Sequence, residues 1–418
     1  MRIAARVENA GGAVLVFWAA LAILALHAAT DSFIAPEPGT GPLDHLLRGS
    51  VSLAILVVAA VVYPRLQAGG RAALAGVFGA LALEGAILAI ADARGSRARG
   101  EDWTGFLLTP VGLVLLGSVG VLLWRSRKPG RLRWPRRAGI AIGTLVAVYW
   151  LILPVGMAIL ATHRPRADVR HADLGKAYEK VTLHTSDGLD LAAWYVPSRN
   201  GAAVISYPTR QGKLEQARML VRHGYGVLLV DARGYDGSEG DPNLFGWEDA
   251  NDIDAAVVWL QGRPDVRDDR IGGMGFSVGG EMMLQAAASN TGLRAVVSEG
   301  AGVRSVREDL LRGPRGWLAL PESAVQSAAL TIMSGTSPPP ALDEVVARIA
   351  PRPLFLIYAA HGGGGEELNP DYFEAASEPK TVWRVDEAEH VGGFDARPRE
   401  YEERVIGFFD QALLQESD

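Results

Sequence analysis

Hydrophobic positions follow two regimes along this 418-residue chain. Up to about residue 162 they run almost unbroken, in stretches of Ala, Leu, Val and Ile. A helix needs about 20 mostly apolar residues to cross the hydrocarbon core of a bilayer. Five spans are expected on that basis, over 12–30, 49–63, 72–91, 105–124 and 138–162. The second reaches full length only if Leu46, Leu47 and Arg48 join it, with the arginine snorkelling to the interface. A short basic linker, 163–177, follows. From 178 onward, short runs rich in β-branched residues alternate with helical ones. "YEKVTLHT" and "LDLAAWYVP", joined by "SDG", read as a hairpin. "AAVISYP", "GVLLVD", "RIGGMGF", "RAVVSEG", "RPLFLIYA" and "KTVWRV" read as further strands, with helices over 214–223 and 248–261, after Ser277, and over 400–414. Such alternation predicts an α/β domain over 178–418, a mainly parallel sheet of about eight strands with an antiparallel start and helices on both faces. Between 301 and 350 the pattern dissolves into Pro, Gly and Ser with short amphipathic pieces, which predicts a small cap.

Charge divides the chain at the same place. The first 161 residues carry 15 basic and 8 acidic side chains, leaving 26 and 39 for the rest, so a basic helical region precedes an acidic α/β domain. An acidic domain without a basic patch excludes nucleic acid as a partner. The loop "RSRKPGRLRWPRR", 125–137, has seven basic residues and no acid, which places it in the cytoplasm. Alternating spans then put Asp31, Glu37 and Asp44 outside, and five crossings put everything after Thr162 outside as well. Glu84, mid-span in "LALEGAIL", is expected to face the bundle interior, because a carboxylate in hydrocarbon costs roughly 3 kcal/mol on insertion scales. The chain has no cysteine, which excludes disulfides and thiol catalysis.

The candidate chemistry lies in "GFSVGG". A Gly-x-Ser-x-Gly sequence between a strand and a helix makes a strained turn that projects the serine oxygen, here of Ser277, at the edge of the sheet. A serine hydroxyl needs a base within hydrogen-bond reach and a carboxylate to orient that base. His390, in "DEAEHVGGF" between the last strand and the last helix, is the expected base, with His361 as competitor; His171, His184 and His223 lie upstream of the serine. Glu366, in "HGGGGEELNP", is the expected acid, with Glu367 and Glu299 as alternatives.

With the elbow "GFSVGG", the segment "VDARGYDGSEG", the lead-in "RPDVRDDRIGGMG" and the ending "AEHVGGF", the chain from Tyr178 to about Leu414 resembles the α/β-hydrolase family, in particular its serine esterase and aminopeptidase-like members. The resemblance does not extend to the helical region. It implies hydrolysis without a metal or organic cofactor, and an oxyanion hole built from the backbone N–H groups of Val278 and Thr209. Asp231 and Arg233 match a structural turn of the family. Two departures stand out: "YPTR" replaces the His-Gly that many relatives carry after the third strand, and the acid is a glutamate behind four glycines instead of an aspartate.

The expected protein is thus a membrane-anchored serine hydrolase, its hydrolase domain extracytoplasmic, acting on a small-molecule or lipid-like acyl substrate, a carboxylic ester before a peptide. The alternative is a hydrolase-like domain that binds a ligand or partner without turnover.

Overall fold

The computed structural model describes residues 2–95, 100–125, 143, 146–163, 172–210 and 213–415. The chain divides into two compact units, Met1–Ala167 with Ala324–Gly335, and Asp168–Ser323 with Thr336–Asp418.

In the first unit four helices are long and apolar enough to cross a membrane, Gly11–Ile34, Leu46–Arg65, Ala68–Ile90 and Trp103–Trp124, and Tyr149–Thr162 is a shorter apolar helix. The start of the expected fifth span, nearly all of the basic loop, His171 and much of the linker lie outside the described residues. Phe17 stacks on Tyr63 at 3.7 Å between ring centroids and meets Phe78 edge-on, which ties three of the helices together. The second helix takes in Leu46, Leu47 and Arg48, but the arginine does not snorkel. It is 5% exposed, and its Nη2 lies 3.4 Å from Asp31 Oδ2. A counter-charge within reach holds the guanidinium inside, since ionisable groups in such bundles pair with one another. The Glu84 carboxylate lies against Gly156, where a Cβ would stand 3.5 Å from both oxygens, so it faces a neighbouring helix.

The second unit is built on an eight-stranded sheet: β1 (Glu179–His184), β2 (Asp190–Val196), β3 (Ala203–Tyr207), β4 (Gly226–Val230), β5 (Ile271–Phe276), β6 (Ala295–Glu299), β7 (Leu354–Ala359) and β8 (Lys380–Val385). Their order is β1-β2-β4-β3-β5-β6-β7-β8. β2 runs antiparallel to both β1 and β4, and all other pairs are parallel. This is the α/β-hydrolase fold, with the antiparallel start that the hairpin pattern predicts. Successive residues feed opposite cores: Ile205, Leu228, Val296 and Leu356 enter one, while Val204, Val227, Val297 and Phe355 enter the other. β3, β4, β5 and β6 are buried throughout because helices cover both faces.

The region 301–350 is more regular than its composition predicts. A helix of 21 residues, Pro314–Ser334, runs between the short helices Val306–Leu311 and Leu342–Val346. Pro314 starts it at a position that needs no N–H, and Gly335, at φ +74°, follows its end. Pro321 within it breaks the sequence signal of a continuous helix.

Buried charge braces the sheet unit. The Asp252 carboxylate is fully buried and accepts from Arg233 N at 2.8 Å, Nε at 3.0 Å and Nη2 at 2.7 Å, and from the Tyr207 hydroxyl at 3.2 Å. Asp252→Ala leaves a guanidinium that is 4% exposed without its main partner, a loss of about 3 kcal/mol. Thermal unfolding of the detergent-solubilised chain, followed by tryptophan fluorescence, is expected to show that loss, whereas Asp269→Ala, in the exposed Arg267–Asp269 pair, stays within about 1 kcal/mol of the parent chain.

Candidate active site

β5 ends in a turn that few residues can make. Ser277 adopts φ 54° and ψ −126°, and the helix Val278–Ser289 begins at the next residue. A Cβ on Gly275 would stand 2.1 Å from the Gly279 carbonyl oxygen, and one on Gly279 would stand 2.7 Å from that of Tyr207, so both positions require glycine. The Ser277 N–H donates to the Glu299 carbonyl at 2.8 Å, which fixes the turn against β6. The serine thus projects beyond the carboxyl ends of the parallel strands, where open α/β sheets collect their functional loops.

Two further loops converge there. His390, after β8, brings Nε2 to 2.8 Å from Ser277 Oγ across 113 residues of chain. Its Nδ1 meets Oε1 of Glu366, which sits in a short turn after β7. The other Glu366 oxygen accepts the Ala359 N–H at 2.7 Å, so this 1%-exposed carboxylate has one oxygen for the backbone and one for the imidazole. The alternative acids are otherwise engaged. Glu367 is on the surface, 2.8 Å from Arg312 Nε, and Glu299 accepts from the Gly393 N–H at 2.9 Å and from the Tyr401 hydroxyl. His361 lies exposed after β7, His184 contacts Asp190, and His223 contacts Glu402.

Thr209 follows β3 and borders, with Ser277, Tyr207, Phe276, His390 and Lys213, a cavity of about 380 Å³. Neither the Thr209 N–H nor the Val278 N–H makes a hydrogen bond within the described residues. Among those residues no cluster of three or more His, Asp or Glu side chains is arranged to hold a metal ion.

Several supports of this site are not apparent from sequence. Arg210, adjoining Thr209, donates to Asp231 through its N–H at 2.8 Å and its Nε at 2.6 Å, which anchors the β3 loop to the end of β4. Burial pushes the Asp231 carboxyl up to about 6 against the opposing pull of Arg210. The glycine-rich stretch before Glu366 is held by Val303 N–H on the Gly364 carbonyl at 2.8 Å, and Asn369 Nδ2 braces both Ala301 and Glu366 carbonyls. Glu281, one turn into the helix after Ser277, accepts the Gly302 N–H at 3.1 Å, and burial pushes its carboxyl up to about 7. The hydrogen bond to Glu366 raises the His390 pKa above its ordinary value, with burial and the charge of Lys213 acting in the opposite direction.

A family model described as X-Pro dipeptidyl-peptidase (S15 family) matches residues 162–391, more than half of the chain. YfhR of Salmonella typhi is 24% identical over 252 residues, 56% of this chain and 82% of that protein. The polyketide transferase grgF of a Penicillium species is 31% identical over 159 residues, 34% of this chain and 52% of its own length. Among solved structures, the esterase Pf2001 of Pyrococcus furiosus is similar over 60% of this chain and 97% of its own, with 23% identity and a TM-score of 0.49.

Proposed function

This chain belongs to the peptidase S15 family, and from that premise we propose that it is a membrane-anchored serine hydrolase that cleaves an ester or related acyl bond. The observation that carries the reading is the Ser277 Oγ to His390 Nε2 distance of 2.8 Å, with Glu366 behind the imidazole. In this reading Ser277 Oγ attacks the acyl carbon as His390 takes its proton. Charge gathers on the carbonyl oxygen, where the Thr209 and Val278 N–H groups meet it; one such donor is worth about 3 to 4 kcal/mol toward the transition state. The tetrahedral intermediate then expels the alcohol, which carries away the proton from His390. Water repeats the sequence on the acyl-serine, releasing the acid and the free serine. Glu366 holds the imidazole in the tautomer with Nε2 open to the serine.

A fluorophosphonate probe is expected to label the solubilised protein at Ser277. No label on the folded chain, or equal label on Ser277→Ala, defeats the proposal.

The pH profile follows from the base. His390 works as the neutral imidazole, and its bond to Glu366 raises its pKa above 6.5, so kcat/KM rises with pH to a half-maximum above that value. Glu366→Gln removes the main cause of the shift. The acid limb is then expected to move to lower pH while the plateau falls by about 10³- to 10⁴-fold. A limb that does not move assigns the acid elsewhere.

In this reading the chain makes the five crossings expected from the sequence, which puts the hydrolase unit outside the cytoplasm. Ser377, exposed between the last two strands, tests this, because the chain has no thiol of its own. Ser377→Cys is expected to react with a membrane-impermeant maleimide in intact cells; reaction only after lysis reverses the orientation.

A further inference from the structure

We propose that Lys213 selects acyl groups that carry a carboxylate close to the scissile bond, so that the site favours half-esters of dicarboxylic acids over neutral esters and over N-terminal dipeptides. This rests on the serine hydrolase reading and names its substrate class. Lys213 borders the cavity above Ser277, and among the described residues that line it, Lys213 alone carries an ammonium group.

Its placement is costly. Among the described residues four non-glycine residues have positive φ, and three of them, Lys213, Ser277 and Val391, each at 54°, meet in this cavity. Strain of this kind gathers where the surroundings over-determine a functional conformation. Lys213 Nζ donates to the Val391 carbonyl at 2.6 Å, which secures the ammonium to the loop that carries His390. An ammonium has three N–H donors, and that carbonyl takes one. The charge is felt at the reacting centre, where it lowers the His390 pKa. The neighbouring carboxylates, Glu366 toward Ala359 and His390, Glu299 toward Gly393 and Tyr401, and Glu281 toward Gly302, are not among the described residues that line the cavity. An anion entering the cavity therefore meets a cation at its wall.

Geometry separates the candidate substrates. In an N-terminal dipeptide the ammonium lies about 6 Å from the carbonyl under attack, which brings a second cation into the space that Lys213 borders. In a glutarate half-ester the carboxylate lies about 5 Å from the same carbonyl, with the opposite sign.

The test compares monomethyl glutarate, methyl pentanoate and glycyl-prolyl-p-nitroanilide on the purified full chain in detergent, the esters followed by pH-stat. The expected wild-type preference for the glutarate ester over the pentanoate is at least tenfold in kcat/KM, falling as salt is raised. Lys213→Gln keeps a donor for the Val391 carbonyl but no charge, and is expected to bring the ratio to about one, mainly through KM. Lys213→Arg retains the preference and Lys213→Glu inverts it. A wild-type ratio near one, a ratio unchanged by Lys213→Gln or by salt, or faster turnover of the dipeptide anilide each overturns the proposal. Turnover of methyl pentanoate without a charge preference sinks this inference alone; no ester turnover together with no fluorophosphonate label sinks the hydrolase reading with it. The wild-type ratio and its salt dependence decide the matter even where a variant fails to fold.

Discussion

Ser277 sits at φ 54° and ψ −126°, and a backbone of that kind costs an L residue about 1 to 3 kcal/mol, persisting only where its surroundings hold it. Here three elements do so. Gly275 and Gly279 let the helix close on β5 and β3 at distances that no Cβ tolerates, and the Ser277 N–H is anchored to the end of β6. Those contacts exist only if β3, β5 and β6 are parallel neighbours in a sheet buried on both faces. The two cores therefore do more than stabilise the fold: they fix the three strands whose ends define the serine's position.

The loops facing the serine are irregular, and buried polar pairs take over the holding role there. Each loop has its own anchor from a neighbouring segment: Asp231 on the Arg210 backbone and side chain after β3, the Val303 N–H and Asn369 after β7, Glu299 on Gly393 after β8. A buried carboxylate is costly to desolvate unless its oxygens are filled by donors, so each of these groups tolerates little displacement of the loop it holds. This accounts for an arrangement of Ser277, His390 and Glu366 in which a glutamate behind four glycines still has a defined position.

Much of this was legible in the chain. Short apolar runs alternating with helical segments marked all eight strands, and the glycine spacing around Ser277 marked a turn whose physical demand is the same in any protein that makes it. His390 was marked by its place between the last strand and the last helix. Glu366 was expected as the acid only ahead of its alternatives Glu367 and Glu299, because Glu366 and Glu367 are adjacent and chemically identical; what separates them is that one turns inward beneath the imidazole and the other outward to Arg312. Lys213 was passed over for a related reason. Nothing local distinguishes it from a surface lysine, and its role arises from a carbonyl 178 residues away. The helix Pro314–Ser334 was obscured by Pro321, since a composition rich in Pro, Gly and Ser carries no continuous period.

The helical unit shows the same limit from the side of charge. Hydropathy adds residues one at a time, so Arg48 counts against a span beginning at Leu46, by about 3 kcal/mol at a helix centre. In the folded unit that penalty is offset by Asp31, 3.4 Å from the guanidinium, and Asp31 also lies 3.6 Å from His163 Nε2. None of the three is favourable alone in an apolar bundle, yet together they compensate one another. The second helix is longer than its apolar run because its first charge already has a partner on the preceding helix, and a pairing between segments is a property that a window sliding along one segment does not contain.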